Sequence, residues 1–560
     1  MLAIIVTILT NMFRALRNAA VRLKRSPDYV FFDVSGSLPE FERRVGFLRR
    51  RLSPGPAPPS LQEFRRRFDV VAGDGRPKGV VLRVGNLDAG WVALEELRAE
   101  ILRYQESGGR VVVYLIGADS RGYFLASAAD EILATPLATI AVTGVRSQVN
   151  FLKDALGMVG VEAEVVAVSP YKSAGDTYTR MDFSPEAREQ AERLTRNRYE
   201  TLVEAVADGR SMTADEARRR IDGAPYPARE AVDVGLLDGV CYEDDLAARL
   251  GEDDGQARLS EWDEARKVLR KPYRERARRR VGVVSLSGTI VRGKSRRLPV
   301  PVPLLGGEQA GSDSVVGALR AAEKSRKVAS ILFHVDTRGG DALASDLIWC
   351  EVERIREKKP VVVLMGEAAA SGGYYVSAAA DHVLARRSTI TGSIGVVSIR
   401  PVAEDLYGKL GINPVAVQYG ARSGILDPAK RPSSDELAVL HHQLSAFYGE
   451  FKDRVRKGRN LLETELEPMA GGRVWTGTEA KERGLVDEIG GYRDALRKAC
   501  ELAGNSIAQE PVMITPPSTR QAPGERTGDL TELALIAKEI LQTMRDGRVW
   551  AVSPFEISDD

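Results

Sequence analysis

The chain repeats itself on the scale of a whole domain. Val111-Val-Val-Tyr-Leu-Ile-Gly117 leads to Ser120-Arg-Gly-Tyr-Phe-Leu-Ala-Ser-Ala-Ala-Asp130, and Val361-Val-Val-Leu-Met-Gly366 leads to Ser371-Gly-Gly-Tyr-Tyr-Val-Ser-Ala-Ala-Ala-Asp381. The closing aspartates are offset by 251 residues. Val30-Phe-Phe-Asp-Val-Ser-Gly-Ser37 resembles Val281-Gly-Val-Val-Ser-Leu-Ser-Gly288, and Glu230-Ala-Val-Asp-Val-Gly-Leu-Leu-Asp238 resembles Glu479-Ala-Lys-Glu-Arg-Gly-Leu-Val-Asp487 at an offset of 249. A near-constant offset of this length means duplicated domains rather than a short-repeat solenoid. Each copy alternates strand and helix patterns, which predicts an α/β fold with largely parallel sheets. At 560 residues the chain can bury two such cores. The landmarks place a first repeat at 28–255, a charged linker at 256–280 and a second repeat at 281–505.

Composition narrows the function. A net charge of +2 gives no global pull toward nucleic acid. The basic run Arg274-Glu-Arg-Ala-Arg-Arg-Arg280 has no interleaved aromatic platform, so it reads as an exposed inter-domain helix or linker and no nucleic-acid partner is expected. Cys241, Cys350 and Cys500 lie far apart, which indicates neither a disulfide framework nor a zinc site. No metal or organic cofactor is called for.

The ends differ from the repeats. Met1 to Phe13 is nearly all apolar, with Arg14, Arg17, Arg22, Lys24 and Arg25 following. The apolar run is shorter than the ~20 residues of a spanning helix. Residues 1–25 therefore read as a basic amphipathic helix on a membrane surface, with Leu2, Ile5, Leu9, Met12, Leu16 and Leu23 on one face. The alternative is a helix docked on the protein itself. Residues 506–560 form a tail with a helix expected over Leu530 to Arg545.

Ser371 sits between a buried strand and a new helix, where unpaired backbone N–H groups can stabilise an oxyanion. That place suits a nucleophile and equally an N-cap. A nucleophilic serine needs a neighbour that takes its proton. His334, His382, His441 and His442 are the only histidines, and no spacing favours any of them. Lys172 lies just past the apolar run Val165-Val-Ala-Val168, flanked by small residues. Its counterpart in the second repeat is Arg422, which cannot serve as a base. The second repeat thus has a serine site without a base, and the first has a base without the Ser-Gly-Gly pair. Ser120, aligned with Ser371 but followed by Arg121, reads as a decayed duplicate. The halves complement each other, as in one composite active site.

Ala369-Ala-Ser-Gly-Gly-Tyr-Tyr375, Ser388-Thr-Ile-Thr-Gly-Ser-Ile-Gly395, Val474-Trp-Thr-Gly477 and Tyr171-Lys-Ser173 together resemble signal peptide peptidase A in its long two-repeat form. The resemblance covers roughly residues 28–505. It implies tandem ClpP/crotonase-like domains and a bacterial, membrane-associated serine endopeptidase that degrades cleaved signal peptides and other hydrophobic unfolded peptides. It further implies Ser371 as nucleophile, Lys172 as general base, Ser393 as the hydroxyl orienting the lysine, and the backbone N–H groups of Gly340 and Gly372 as the oxyanion hole. A homotetrameric bowl is implied as well, with catalytic domains outside the cytoplasm, although the basic flank after Phe13 points the other way. The family usually shows Asn-Ser-Pro-Gly-Gly where this chain has Asp336-Thr-Arg-Gly-Gly340; Arg338 brings a charge near the cleft.

Two other classes compete. A crotonase-type acyl-CoA enzyme would also use paired backbone N–H groups, but would leave a Ser-Gly-Gly nucleophile and a buried lysine without a task. A catalytically inactive membrane scaffold would have no reason to keep Ser371, Lys172 and Ser393 together.

Overall fold

The computed structural model describes residues 2–42, 59–252, 255–274, 279–302, 306–504, 508–514 and 550–552. The helix expected at Leu530 to Arg545 and the proline-rich run Pro54-Gly-Pro-Ala-Pro58 lie outside the described residues. The chain forms two compact units, Met1–Arg146 with Arg196–Arg276, and Ser147–Thr195 with Ala277–Asp560. The segment Ser147–Thr195, which lies within the first repeat in sequence, therefore packs with the second.

In the first unit, six parallel strands run in the order Leu259–Glu261, Tyr29–Gly36, Gly79–Leu87, Arg110–Leu115, Glu131–Ala134 and Gly239–Val240. Parallel neighbours need crossover connections, and the strands' continuous Val, Leu and Ile runs suit burial on both faces. Phe32 and Phe68 meet edge to face at 5.2 Å, and Trp262 closes on Phe32 at 5.6 Å. Trp262 comes from the stretch read as a linker. That stretch is partly structural, because Leu259–Glu261 extends the sheet and Trp262, Ala265 and Leu269 are buried. The exposed-linker reading fails there because apolar residues at helical spacing sit among the charges.

In the second unit, one sheet runs Val474–Thr476, Ile390–Gly392, Val361–Ala370, Val328–Thr337, Arg280–Ser287 and Ala508–Met513, with His382–Ala385 beside Val361–Ala370 and Glu488–Ile489 beyond it. All these pairings are parallel except that of Val474–Thr476. A second sheet contains, in order, Thr289–Val291, Gly339–Asp341, Trp550–Val552, Val397–Val402 and Glu162–Ala167. There the backbone of Trp550–Val552 pairs antiparallel with both neighbours, Ala551 opposite Gly340 and Trp550 opposite Val397.

The duplication extends to individual hydrogen bonds. Asp130 accepts from Val111 N–H at 2.7 Å, and Asp381 from Val361 N–H at 2.8 Å. Asp238 accepts from Ile132 N–H and pairs with Arg210, as Asp487 accepts from Val383 N–H and pairs with Arg459. Tyr123 donates to the Leu236 carbonyl, as Tyr374 does to that of Leu485. The aspartates that end each motif in sequence are thus the caps of strand ends, which need a partner for their first free N–H.

Candidate active site

The strand Val361–Ala370 extends five residues past Met365 because Ile390–Gly392 pairs with its far end. Thr391 and Thr389 hydroxyls donate to the Ala369 and Gly366 carbonyls and fix that extension. Ser371 follows at φ 55 and ψ −113, and the helix Gly372–Ser377 begins directly after it. The Ser371 N–H donates to Gly392 O at 2.8 Å, and its carbonyl accepts from Tyr375 N–H at 2.8 Å. These bonds hold the serine in a conformation that costs ~1–3 kcal/mol for a residue with a Cβ. Although Ser371 occupies the N-cap position, its side chain makes no capping bond.

That hydroxyl instead meets Lys172. The Lys172 Nζ lies 2.7 Å from Ser371 Oγ, 2.9 Å from Ser393 Oγ and 2.9 Å from the Ser393 carbonyl oxygen. Lys172 is 2 % exposed, and Ser371 and Ser393 are fully buried. Burial drives the Lys172 pKa well below that of an ordinary lysine, with no neighbouring charge contributing. A neutral amine has two N–H donors and one lone pair. Two donors for the Ser393 oxygens and one lone pair for the Ser371 O–H match the three partners present, whereas an ammonium would have three donors and no acceptor.

Ser393 also has a positive φ, 52°. Its N–H donates to Arg473 O at 2.6 Å. Gly472, at φ +83°, passes so close that a Cβ there would lie 2.6 Å from the Lys172 backbone nitrogen. The lysine loop, the Ser393 turn and the Gly472-Arg473 turn therefore fit only as a group.

Gly340 and Gly372 come together next to the serine. A Cβ on Gly372 would stand 3.3 Å from Gly340 N. Gly340 has φ +158° and packs against the Ile290 backbone, where a Cβ would meet the Ile290 oxygen at 2.1 Å. In the preceding loop the Thr337 hydroxyl accepts from Gly339 N–H at 3.0 Å, and Asp336 accepts from Ala368 N–H at 3.2 Å. Side-chain bonds thus close the turn that lacks the family's proline.

The remaining sequence candidates stand elsewhere. His382 pairs with Glu488 at 3.1 Å, His334 faces Ser285 at 3.4 Å, and His441 and His442 are exposed on the helix Ser434–Arg459. Arg422 is exposed and faces Asp435. Ser120 donates to Gly144 O and accepts from Gly144 N–H, a structural role in a turn. No group of three or more His, Cys, Asp or Glu side chains converges among the described residues. Sequence reading missed Gln190 and Arg473, which join the lysine loop to the strand Val474–Thr476; only the adjacency of Arg473 to Val474-Trp-Thr-Gly477 hinted at it.

An α/β chain with a strained serine in contact with a buried amine has the makeup of a serine hydrolase. Comparison with known proteins narrows the class. The model of Peptidase family S49 matches at residues 103–257 and 353–506, once in each repeat. The chain is 31% identical over 480 residues to the chloroplastic serine protease SPPA of Arabidopsis thaliana, covering 83% of this chain and 69% of that one. It is 30% identical to Protease 4 of Haemophilus influenzae, covering 78% and 72%. A putative signal peptide peptidase SppA of Enterococcus faecium is 34% identical over 34% of this chain and 55% of its own. Among solved structures, a ClpP1 mutant from Listeria monocytogenes is 15% identical over 38% of this chain and 93% of its own, with a TM-score of 0.25. The chain belongs to Peptidase family S49, and it is a serine peptidase.

Proposed function

We propose that this peptidase is a membrane-associated endopeptidase that degrades cleaved signal peptides and other hydrophobic, unfolded peptides through a Ser371–Lys172 dyad. The observation that carries this reading is the 2.7 Å contact between a fully buried serine hydroxyl and a desolvated amine. Neutral Lys172 accepts the Ser371 proton as Oγ attacks the peptide carbonyl. The oxyanion that forms is held by the N–H groups of Gly340 and Gly372. Protonated Lys172 then gives its proton to the leaving amine. Water, deprotonated by the same amine, releases the acyl group from Ser371. Ser393 holds the amine through two acceptors and keeps its lone pair on Ser371.

Membrane association rests on the helix Leu2–Arg22. No helix among the described residues is long and apolar enough to cross a membrane. The polar side of this helix is fastened to the protein: Asn11 and Asn18 each exchange two hydrogen bonds with the backbone of Arg274 and Lys271. Leu9, Met12, Phe13 and Leu16 lie on the opposite face and are 45 to 67% exposed. A helix fixed by its polar side and apolar outward suits an interface, with Arg22, Lys24 and Arg25 near anionic headgroups. Assembly into a homo-oligomer is supported by Ile412–Tyr419. Val415, Val417 and Tyr419 alternate along it and are 87 to 92% exposed, a cost in water that a second copy would remove.

The test is hydrolysis of a fluorogenic hydrophobic peptide by the full chain beside Ser371→Ala and Lys172→Ala. Both variants should fold and lose turnover. Retention of activity by Lys172→Ala would reject the dyad. Vesicle flotation with Phe13→Asp/Leu16→Asp tests the membrane arm, and undiminished flotation would reject it.

A further inference from the structure

The lysine loop has little regular structure to stiffen it, yet Lys172 must hold its amine within hydrogen-bond reach of two hydroxyls. Tyr171, the residue before it, is gripped from two sides. The Arg473 guanidinium stacks on its ring, Cζ 3.6 Å from the centroid, and donates to its hydroxyl. Both side chains also bind Glu189, Arg473 Nη1 at 2.8 Å and the Tyr171 hydroxyl at 2.8 Å. Beneath them Gln190, fully buried, donates to the Tyr171 carbonyl at 3.2 Å and accepts from Val474 N–H at 2.8 Å. The Arg473 carbonyl takes the Ser393 N–H. One residue thus touches the neighbour of the base through its side chain and the hydroxyl that orients the base through its backbone.

We infer that Arg473, with Gln190 beneath it, is a positioning residue for peptide hydrolysis: the pair clamps Tyr171 so that Lys172 stays seated between Ser371 and Ser393. This rests on the dyad reading above. The ion pair itself is half exposed, with Glu189 at 50% and Arg473 at 26%, and adds little stability. Its effect is geometric. A misplacement of about 1 Å at reacting groups costs ~100-fold.

Loosening the clamp would also admit water to the amine. The ionisable groups on the loop and on the elements packed around it include Tyr171, Asp176, Glu189 and Arg473, with Glu164 and Arg400 opposite each other on the adjoining strands and Arg193 on the Val474 carbonyl. None of them hydrogen-bonds Lys172, whose described partners are Ser371 and Ser393. Hydration would therefore move the amine back toward an ordinary lysine, and a neutral base would be available only at higher pH.

The experiment compares Arg473→Met, Arg473→Lys and Gln190→Met with the wild type and Lys172→Ala on a fluorogenic peptide across pH. Arg473→Met keeps the backbone carbonyl that Ser393 needs and removes the side-chain grip on Tyr171 and Glu189. The expected result is a ~10–100-fold loss of kcat in Arg473→Met and Gln190→Met with little change in KM. The acid limb should move up by about half a pH unit or more, and Arg473→Lys should recover part of both. Wild-type kcat and an unmoved acid limb in both Met variants would overturn the clamp, and so would a uniform loss at every pH with the limb in place. Activity surviving in Lys172→Ala would indict the dyad instead. Should Arg473→Met fail to fold, Gln190→Met and Tyr171→Phe decide by the same two readouts.

Discussion

Ser393 takes two hydrogen bonds from Lys172, one on its hydroxyl and one on its carbonyl, both at 2.9 Å. Removing the hydroxyl leaves the carbonyl bond in place and lets the amine turn. Ser393→Ala should therefore lower kcat by ~10–100-fold and leave KM nearly unchanged, a smaller loss than Lys172→Ala causes. Steady-state kinetics on one peptide check this; equal activity of Ser393→Ala and wild type would remove Ser393 from the site.

Acid should silence the peptidase before it unfolds it. Lys172 has its folded pKa depressed by burial, so turnover should fall with a slope of one as pH drops below that value. The stability linkage has a definite sign. Between the depressed folded pKa and the unfolded value of about 10.4, the unfolded chain holds a proton that the folded one lacks, so this residue's contribution to stability rises with pH through that window. Lys172→Met removes the penalty. It should raise Tm near neutral pH and gain less at pH 10, as calorimetry at the two pH values would show.

Gly472 should tolerate no side chain. At φ +83° an alanine is strained, and its Cβ would press on the Lys172 backbone nitrogen. Gly472→Ala is expected to cost ~1–3 kcal/mol of stability and at least ~100-fold in kcat. A variant with normal melting and normal turnover would show that the lysine loop has room to move.

The backbone of Trp550–Val552 lies on the strand that carries Gly340. A tethered strand there competes with an extended substrate at an effective concentration in the ~mM range. Ending the chain before Trp550 should raise kcat/KM on short peptides several-fold. Unchanged kinetics would mean that substrate does not use this edge.

If the proposed assembly runs through the exposed alternating segment, charge placed there should break it. Val415→Asp/Val417→Asp is expected to lower the oligomer's sedimentation coefficient to that of a single chain while leaving secondary structure intact. An unchanged coefficient would place the contact elsewhere.

The duplication was legible because strand ends need capping groups, and Asp130, Asp381, Asp238 and Asp487 recur for that reason. Ser371 and Lys172 could be picked out as candidates because small residues and apolar runs flank them, whereas Ser393 came only from the family resemblance. Gln190 and Arg473 could not. Each looks like an ordinary polar surface residue, and they lie more than 280 residues apart in sequence. The assignment of Ser147–Thr195 to the second unit escaped sequence boundaries because packing ignores the order of repeats. The N-terminal helix showed its amphipathicity, but not that its asparagines would turn the polar side inward.

Lys172 and Ser371 are separated by 199 residues, and the turn that holds them together ends later still, at Arg473. At ~5–20 residues per second of synthesis, roughly 15–60 s pass between the emergence of the lysine and that of the arginine. On the proposed dyad, the growing polypeptide throughout that interval has a base with nothing to deprotonate, and then a serine without its final support. On that proposal the ribosome delivers a harmless chain, and peptide cleavage begins only when nearly all of both repeats has been made.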